Sequence, residues 1–173
     1  MKKLAIIIAS RNFRDEEYFE TKQFLSSYEF NIETFSDRAG LTIGRFGGES
    51  EAKSILDIDE RKFDGIIFVG GGGALELLDN EASYNIAQAF NEKGKMTAAI
   101  CIAPVILAKA GILKGRKATV WNSDMDKSAI RILEENGAFF MDEKSIIDSN
   151  IITANGPEAI EDFCFNILTY FKE

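Results

Sequence analysis

Short runs that are apolar from end to end recur along this chain, and helix-patterned segments separate them. Leu4-Ala5-Ile6-Ile7-Ile8-Ala9, Gly65-Ile66-Ile67-Phe68-Val69 and Met96-Thr97-Ala98-Ala99-Ile100-Cys101 are the clearest runs. A strand that is apolar on both faces must be covered on both faces. That condition is met by a parallel sheet between two layers of helices. A one-sided antiparallel sheet would instead alternate polar and apolar residues.

The remaining segments agree with that architecture. Helical patterns cover 15–28, 81–93, 103–110, 128–136 and 158–171. Gly94 and Gly137 stand where helix ends favour glycine, and Pro104 stands in a first turn, where its missing N–H costs nothing. Further strands are expected at 30–35 and 117–121. Residues 41–58 are mixed and fit a small hairpin followed by a short extended piece. Residues 139–154 fit a second hairpin turning at Asp148-Ser149-Asn150. The expected fold is α/β: a doubly wound parallel-sheet sandwich with one antiparallel excursion. A length of 173 residues suits one domain over 1–173. Ligands in such sheets bind beyond the carboxyl ends of the strands, which selects 10–17, 70–73, 101–104 and 121–124.

Composition narrows the chemistry. The chain has no histidine and two cysteines, Cys101 and Cys164. A Ser-His-Asp triad, a Cys-His pair and an imidazole metal site are thereby excluded, and proton transfer falls to carboxyl, thiol, amine or phenol groups. No metal site and no cofactor are expected. A net charge of −8 argues against nucleic-acid and anionic-membrane partners. The first apolar run is too short for a signal-peptide core, and no stretch approaches the ~20 apolar residues of a membrane span. The expected location is the cytoplasm.

Three features stand at the selected strand ends. In Ala98-Ala99-Ile100-Cys101-Ile102-Ala103-Pro104 a buried strand ends in a cysteine and a helix begins almost at once. This is the layout of a nucleophile elbow, and the helix start is expected to lower the thiol pKa. In Asn12-Phe13-Arg14-Asp15-Glu16-Glu17-Tyr18 three acids open a helix. Asp15 and Glu16 fit ordinary helix-start enrichment, whereas Glu17 points differently and is placed to face the sheet end. A carboxyl group beside a sulfur either keeps its own proton or raises the thiol pKa. Gly70-Gly71-Gly72-Gly73 follows a buried strand and suits an oxyanion or substrate-backbone site; it matches neither GxGxxG nor a phosphate-binding P-loop. Cys164 falls in an Ile160, Phe163, Cys164, Ile167, Leu168, Phe171 stripe, the pattern of helix core. Trp121 ends a strand and serves either core or site wall.

Taken together, these segments resemble the ThiJ/PfpI superfamily over nearly the whole chain. Phe13-Arg14-Asp15-Glu16-Glu17 resembles its acidic segment, and Phe68-Val69-Gly70-Gly71 its Leu-Pro-Gly-Gly. Residues Ala99 to Pro104, continuing through Leu107 to Arg116, resemble its elbow and following helix. Asn155-Gly156-Pro157 resembles its Arg-Gly-Pro. The resemblance implies a flavodoxin-like sandwich of the class I glutamine-amidotransferase kind, with Cys101 as nucleophile and Glu17 as its carboxyl partner. It implies oxyanion contacts from backbone N–H groups near Gly71 and Ile102, no added cofactor, and a homodimer or an assembly of dimers. The chain departs from the family at three places. Ile102 and Trp121 stand where members carry a histidine, and Asn155 replaces the arginine.

Three functions follow as expectations. The first is glyoxalase- or deglycase-type chemistry on small reactive aldehydes or their adducts, run by a Cys101–Glu17 pair; without histidine such an enzyme is slow. The second is a redox-sensing or stress-response protein acting through oxidation of Cys101. The third, an intracellular cysteine peptidase, is disfavoured, because amide hydrolysis needs a base for the nucleophile and an acid for the leaving amine.

Overall fold

A computed structural model describes residues 1–172. The strands are β1 (Lys3–Ile7), β2 (Arg11–Phe13), β3 (Asn31–Ser36), β4 (Gly40–Gly44), β5 (Glu49–Ser54), β6 (Gly65–Phe68), β7 (Met96–Ile100), β8 (Lys117–Ala118), β9 (Phe139–Phe140), β10 (Ser145–Asp148) and β11 (Ile151–Ala154). The helices are α1 (Asp15–Ser27), α2 (Gly72–Leu77), α3 (Glu81–Glu92), α4 (Pro104–Lys109), α5 (Ser128–Glu135) and α6 (Ile160–Lys172).

One sheet runs β10-β11-β7-β6-β1-β3-β5-β4-β2. Its centre, from β11 across to β5, is parallel throughout. The apolar runs become the central strands β1, β6 and β7, and both faces are covered as the pattern requires. Leu4, Ile6 and Ile8 share one core with Tyr18 and Leu25 of α1 and with Phe163 and Ile167 of α6. Ala5, Ile7 and Ala9 share the other with Phe90 of α3, Leu107 of α4 and Leu133 of α5. Each such large side chain contributes about 1.5–3 kcal/mol of transfer free energy. The structure is a single-domain, doubly wound α/β sandwich. No helix among the described residues is long and apolar enough to cross a membrane.

The expected antiparallel excursion is doubled. The β4–β5 pair is antiparallel, and so is β10–β11. Residues 139–154 are not one hairpin: β9 leaves it and pairs in parallel with β8, forming a separate two-stranded ladder. The expected strand at 117–121 keeps ladder pairing only at Lys117–Ala118. Beyond it the chain is tied by single bonds, from the Thr119 N–H to Thr153 Oγ1 (2.9 Å) and from the Trp121 N–H to the Cys101 carbonyl (2.8 Å). Two further elements, β2 and α2, occupy segments to which the sequence pattern assigns neither helix nor strand.

Candidate active site

Central strand β7 stops at Ile100, and Cys101 follows with φ +63°. A non-glycine residue in the left-handed region is strained and persists only where its surroundings fix it. Here the Cys101 N–H donates to the Ala154 carbonyl (2.9 Å), and its carbonyl accepts from Trp121 (2.8 Å). Neighbouring β11 and the 119–121 segment therefore hold the elbow from both sides. The cysteine side chain is half-buried at the sheet's carboxyl edge.

Glu17 reaches the same place from the first turn of α1 and is fully buried. Its Oε2 accepts the Gly70 N–H at 3.0 Å. The Cys101 side chain is its other polar neighbour. Oε1 is buried with no ordinary hydrogen bond among the described residues. Gly70 is what lets the two groups meet: a Cβ there would stand 2.7 Å from the Cys101 Cβ and 3.0 Å from Glu17 Oε2. Gly71, at φ +109°, brings its backbone against residues 12–14, and the Arg14 N–H donates to the Gly70 carbonyl (3.0 Å).

The three consecutive acids divide their roles. Asp15 accepts from the Phe46 and Gly48 N–H groups, both at 2.8 Å, and so anchors the β4–β5 turn rather than merely serving its own helix. Glu16 pairs with Arg14. Glu17 alone turns inward.

The electrostatics correct one expectation. Burial raises the Glu17 carboxyl to about 7, against the lowering effects of the Cys101 and Gly70 hydrogen bonds and of Arg14. The Cys101 thiol is pushed up, not down. Burial contributes most, followed by the charge and hydrogen bond of Glu17. The Ile102 N–H and Arg14 act in the lowering direction and are outweighed. Helix α4 is only six residues long and starts at Pro104, beyond the sulfur, so its dipole does not decide the balance. The resting pair at neutral pH is a thiol beside a carboxyl whose pKa burial has raised toward neutrality. The ionised carboxyl is a base in contact with the thiol.

A cleft of about 470 Å³ opens over this pair. It brings together Gly71, Gly72, Cys101, Ile102 and Trp121, all anticipated from sequence. Gly70 lies beneath it with its N–H already given to Glu17. Arg14 and Arg45 also line the cleft, with Leu75, Asp126 and Ser128 at its rim. Sequence reading passed over both arginines. Arg14 was legible in principle, lying one helical turn before Glu17. Arg45 was not, because its position depends on the register of the β4–β5 hairpin. A slightly larger depression, about 510 Å³ between Lys2, Gly94 and Phe171, contains no cysteine.

Comparison with known proteins supports the fold. An uncharacterized protein of Methanocaldococcus jannaschii is 36% identical over 96% of this chain and 80% of its own length. An uncharacterized protein of Staphylococcus aureus is 34% identical over 94% of each chain. The crystal structure of a ThiJ/PfpI domain protein from Brachyspira murdochii superposes with a TM-score of 0.92 at 29% identity, covering 98% of this chain and 96% of that one. The model of the DJ-1/PfpI family matches residues 2–170. With that match over nearly the full length, the chain belongs to the DJ-1/PfpI family.

Proposed function

We propose that this protein carries out cofactor-independent, cysteine-dependent chemistry on small reactive carbonyl compounds or their adducts, of the glyoxalase or deglycase type. Members of its family act as glyoxalases, deglycases, proteases or stress sensors. The observation that carries the reading is the strained Cys101, in contact with the buried Glu17 beneath an open cleft.

In this reading a carbonyl group sits over Cys101 with its oxygen toward the Ile102 and Gly71 N–H groups. Ionised Glu17 takes the thiol proton as Sγ attacks the carbonyl carbon. A C–S bond forms, and the π electron pair moves to oxygen. Glu17 then returns the proton to that oxygen, giving a hemithioacetal with all atoms balanced. For a 2-oxoaldehyde, the Glu17 carboxylate next moves a proton from the former aldehyde carbon to the neighbouring ketone carbon, while the hydroxyl proton on the former aldehyde oxygen passes to the ketone oxygen. That yields a thioester of a 2-hydroxy acid, which water hydrolyses to release the acid and restore the thiol. One carboxyl doing all the proton transfer, at about 10²–10⁴-fold for general acid–base help, fits a slow enzyme with no imidazole.

The test is incubation with methylglyoxal while lactate is followed. Cys101→Ser is expected to abolish lactate formation; turnover at the wild-type rate in that variant overturns the assignment. A second reading is favoured by the buried, otherwise unpartnered Glu17 Oε1. A protonated Glu17 is placed to donate a hydrogen bond to an oxidised sulfur. Mild peroxide would then supply two oxygens to Cys101, a +32 Da sulfinate by intact mass. That adduct with no lactate selects the sensor, and lactate without it selects the enzyme.

A further inference from the structure

The Cys101 cleft holds two arginines for which the aldehyde chemistry has no use. The Arg14 guanidinium lies 5.2 Å from the centre of the Phe46 ring, and that of Arg45 lies 5.6 Å from the same centre. The turn that carries this exposed ring is held in place. Asp15 bonds the N–H groups on both sides of the turn, at Phe46 and Gly48, and the Arg45 N–H donates to the Phe13 carbonyl (2.9 Å). Two like charges on one aromatic platform repel each other unless an anion joins them.

The nearby acids do not fill that role. Glu16 takes the Arg14 Nε (2.9 Å) and Nη2 (3.4 Å), leaving Nη1 free of it. Arg45 makes no salt bridge among the described residues. Asp126, on the rim, turns its Oδ1 to the Ser128 N–H and hydroxyl, at 2.9 and 2.5 Å, and makes no salt bridge to either arginine. Glu17 is buried on the thiol side. A chain of net charge −8 repels anions at long range, so a pair of guanidiniums concentrated at one cleft changes what that cleft admits.

We infer that Arg14 and Arg45 form an anion subsite beside Cys101, so that the substrate is a short carbonyl compound carrying a carboxylate or phosphate group. The inference rests on Cys101 being the reacting thiol. Planar guanidinium forks match both oxyanions. An anion anchored there fixes the carbonyl over the sulfur, which is the orientation that makes an intrinsically facile addition productive.

The test uses two alkylating reagents of similar size, anionic iodoacetate and neutral iodoacetamide, on the full chain, with modification mapped to Cys101. The quantity read is the ratio of the two rates. In the wild type it exceeds the ratio for a small free thiol, and it falls as salt is added. Arg14→Gln and Arg45→Gln each lower it about tenfold, the scale of one charge-assisted hydrogen bond. Arg45→Lys retains most of it, and Arg61→Gln, far from the cleft, leaves it unchanged. A ratio unaltered in both glutamine variants overturns the subsite. Acetate and inorganic phosphate, as competitors of iodoacetate, distinguish the two sources: the stronger competitor names the group. If Cys101 takes neither reagent, the reading of the thiol fails, and the subsite is tested separately. Trp121 is the only tryptophan and lines the cleft, so its fluorescence in Cys101→Ser should respond to acetate or phosphate and lose that response with Arg45→Gln. No response to either anion overturns the inference.

Discussion

Cys101 and Cys164 are both shielded thiols, and burial pushes both upward in pKa, Cys164 to about 12. Both adjoin the same core, yet their backbones and polar neighbours differ. Cys164 is fully buried in α6, packed in the same core as Phe163 and Ile167 and beside the Thr21 side chain. Cys101 sits in a left-handed backbone at a strand end, touches a carboxyl group and opens into a cleft. A raised thiol pKa therefore marks burial, and it takes strain, a base in contact and access to mark a reacting group.

Removing the base should have the largest effect on this contrast. Glu17→Gln keeps the shape and an acceptor for the Gly70 N–H but cannot take a proton. Turnover is expected to fall by about 10²–10⁴, measured as lactate formation. The same variant has a signature in stability. The folded-state pKa of Glu17 is raised from 4.5 to about 7, so the folded state binds the proton more tightly than the unfolded chain. Stability from this group is fully present below about 4.5 and is lost as pH rises through about 7. The loss is roughly 3 kcal/mol across that window. Urea unfolding at pH 5 and pH 8 should show Glu17→Gln gaining on wild type by about that amount; parallel pH profiles would remove Glu17 from its buried site.

Gly70→Ala sharpens the comparison from the side of packing. Its new Cβ would press on the Cys101 Cβ and on Glu17 Oε2, prising the pair apart. Overpacking of this kind costs about 1–3 kcal/mol, and activity should fall with stability. At Cys164 the smallest change is expected. Cys164→Ala leaves a small cavity in the α6 core worth about 1 kcal/mol, read as a melting temperature lower by a few degrees, and lactate formation should stay within about twofold of wild type.

The parts of this molecule that were legible in the sequence are those fixed by local pattern. Runs such as Leu4–Ala9 admit only a doubly covered strand. The elbow at Cys101 follows from a strand, a turn and Pro104 in immediate succession, and Glu17 was separable from Asp15 and Glu16 by helical geometry. What was not legible depends on tertiary contacts. Helix α2 begins with two glycines, which favour loop, yet packing overrides them: a Cβ at Gly73 would fall within 2 Å of the Arg11 carbonyl, so the helix start is pressed against β2. Strand β2 is three residues long and too short for a period to register. The parting of β9 from β10 is set by the partner β8, far off in the chain. The direction of the Cys101 shift was misread because helix proximity is visible in sequence, whereas the burial that outweighs it is not.

The central claim is that Cys101 reacts through its contact with Glu17. The direct measurement is the rate of iodoacetamide modification against pH, mapped separately to Cys101 and Cys164 in wild type and in Glu17→Gln. Modification of native protein at Cys101 alone, with a profile that moves to lower pH in Glu17→Gln, is the predicted result. Equal labelling of Cys164, or a Cys101 profile that Glu17→Gln leaves in place, would contradict it.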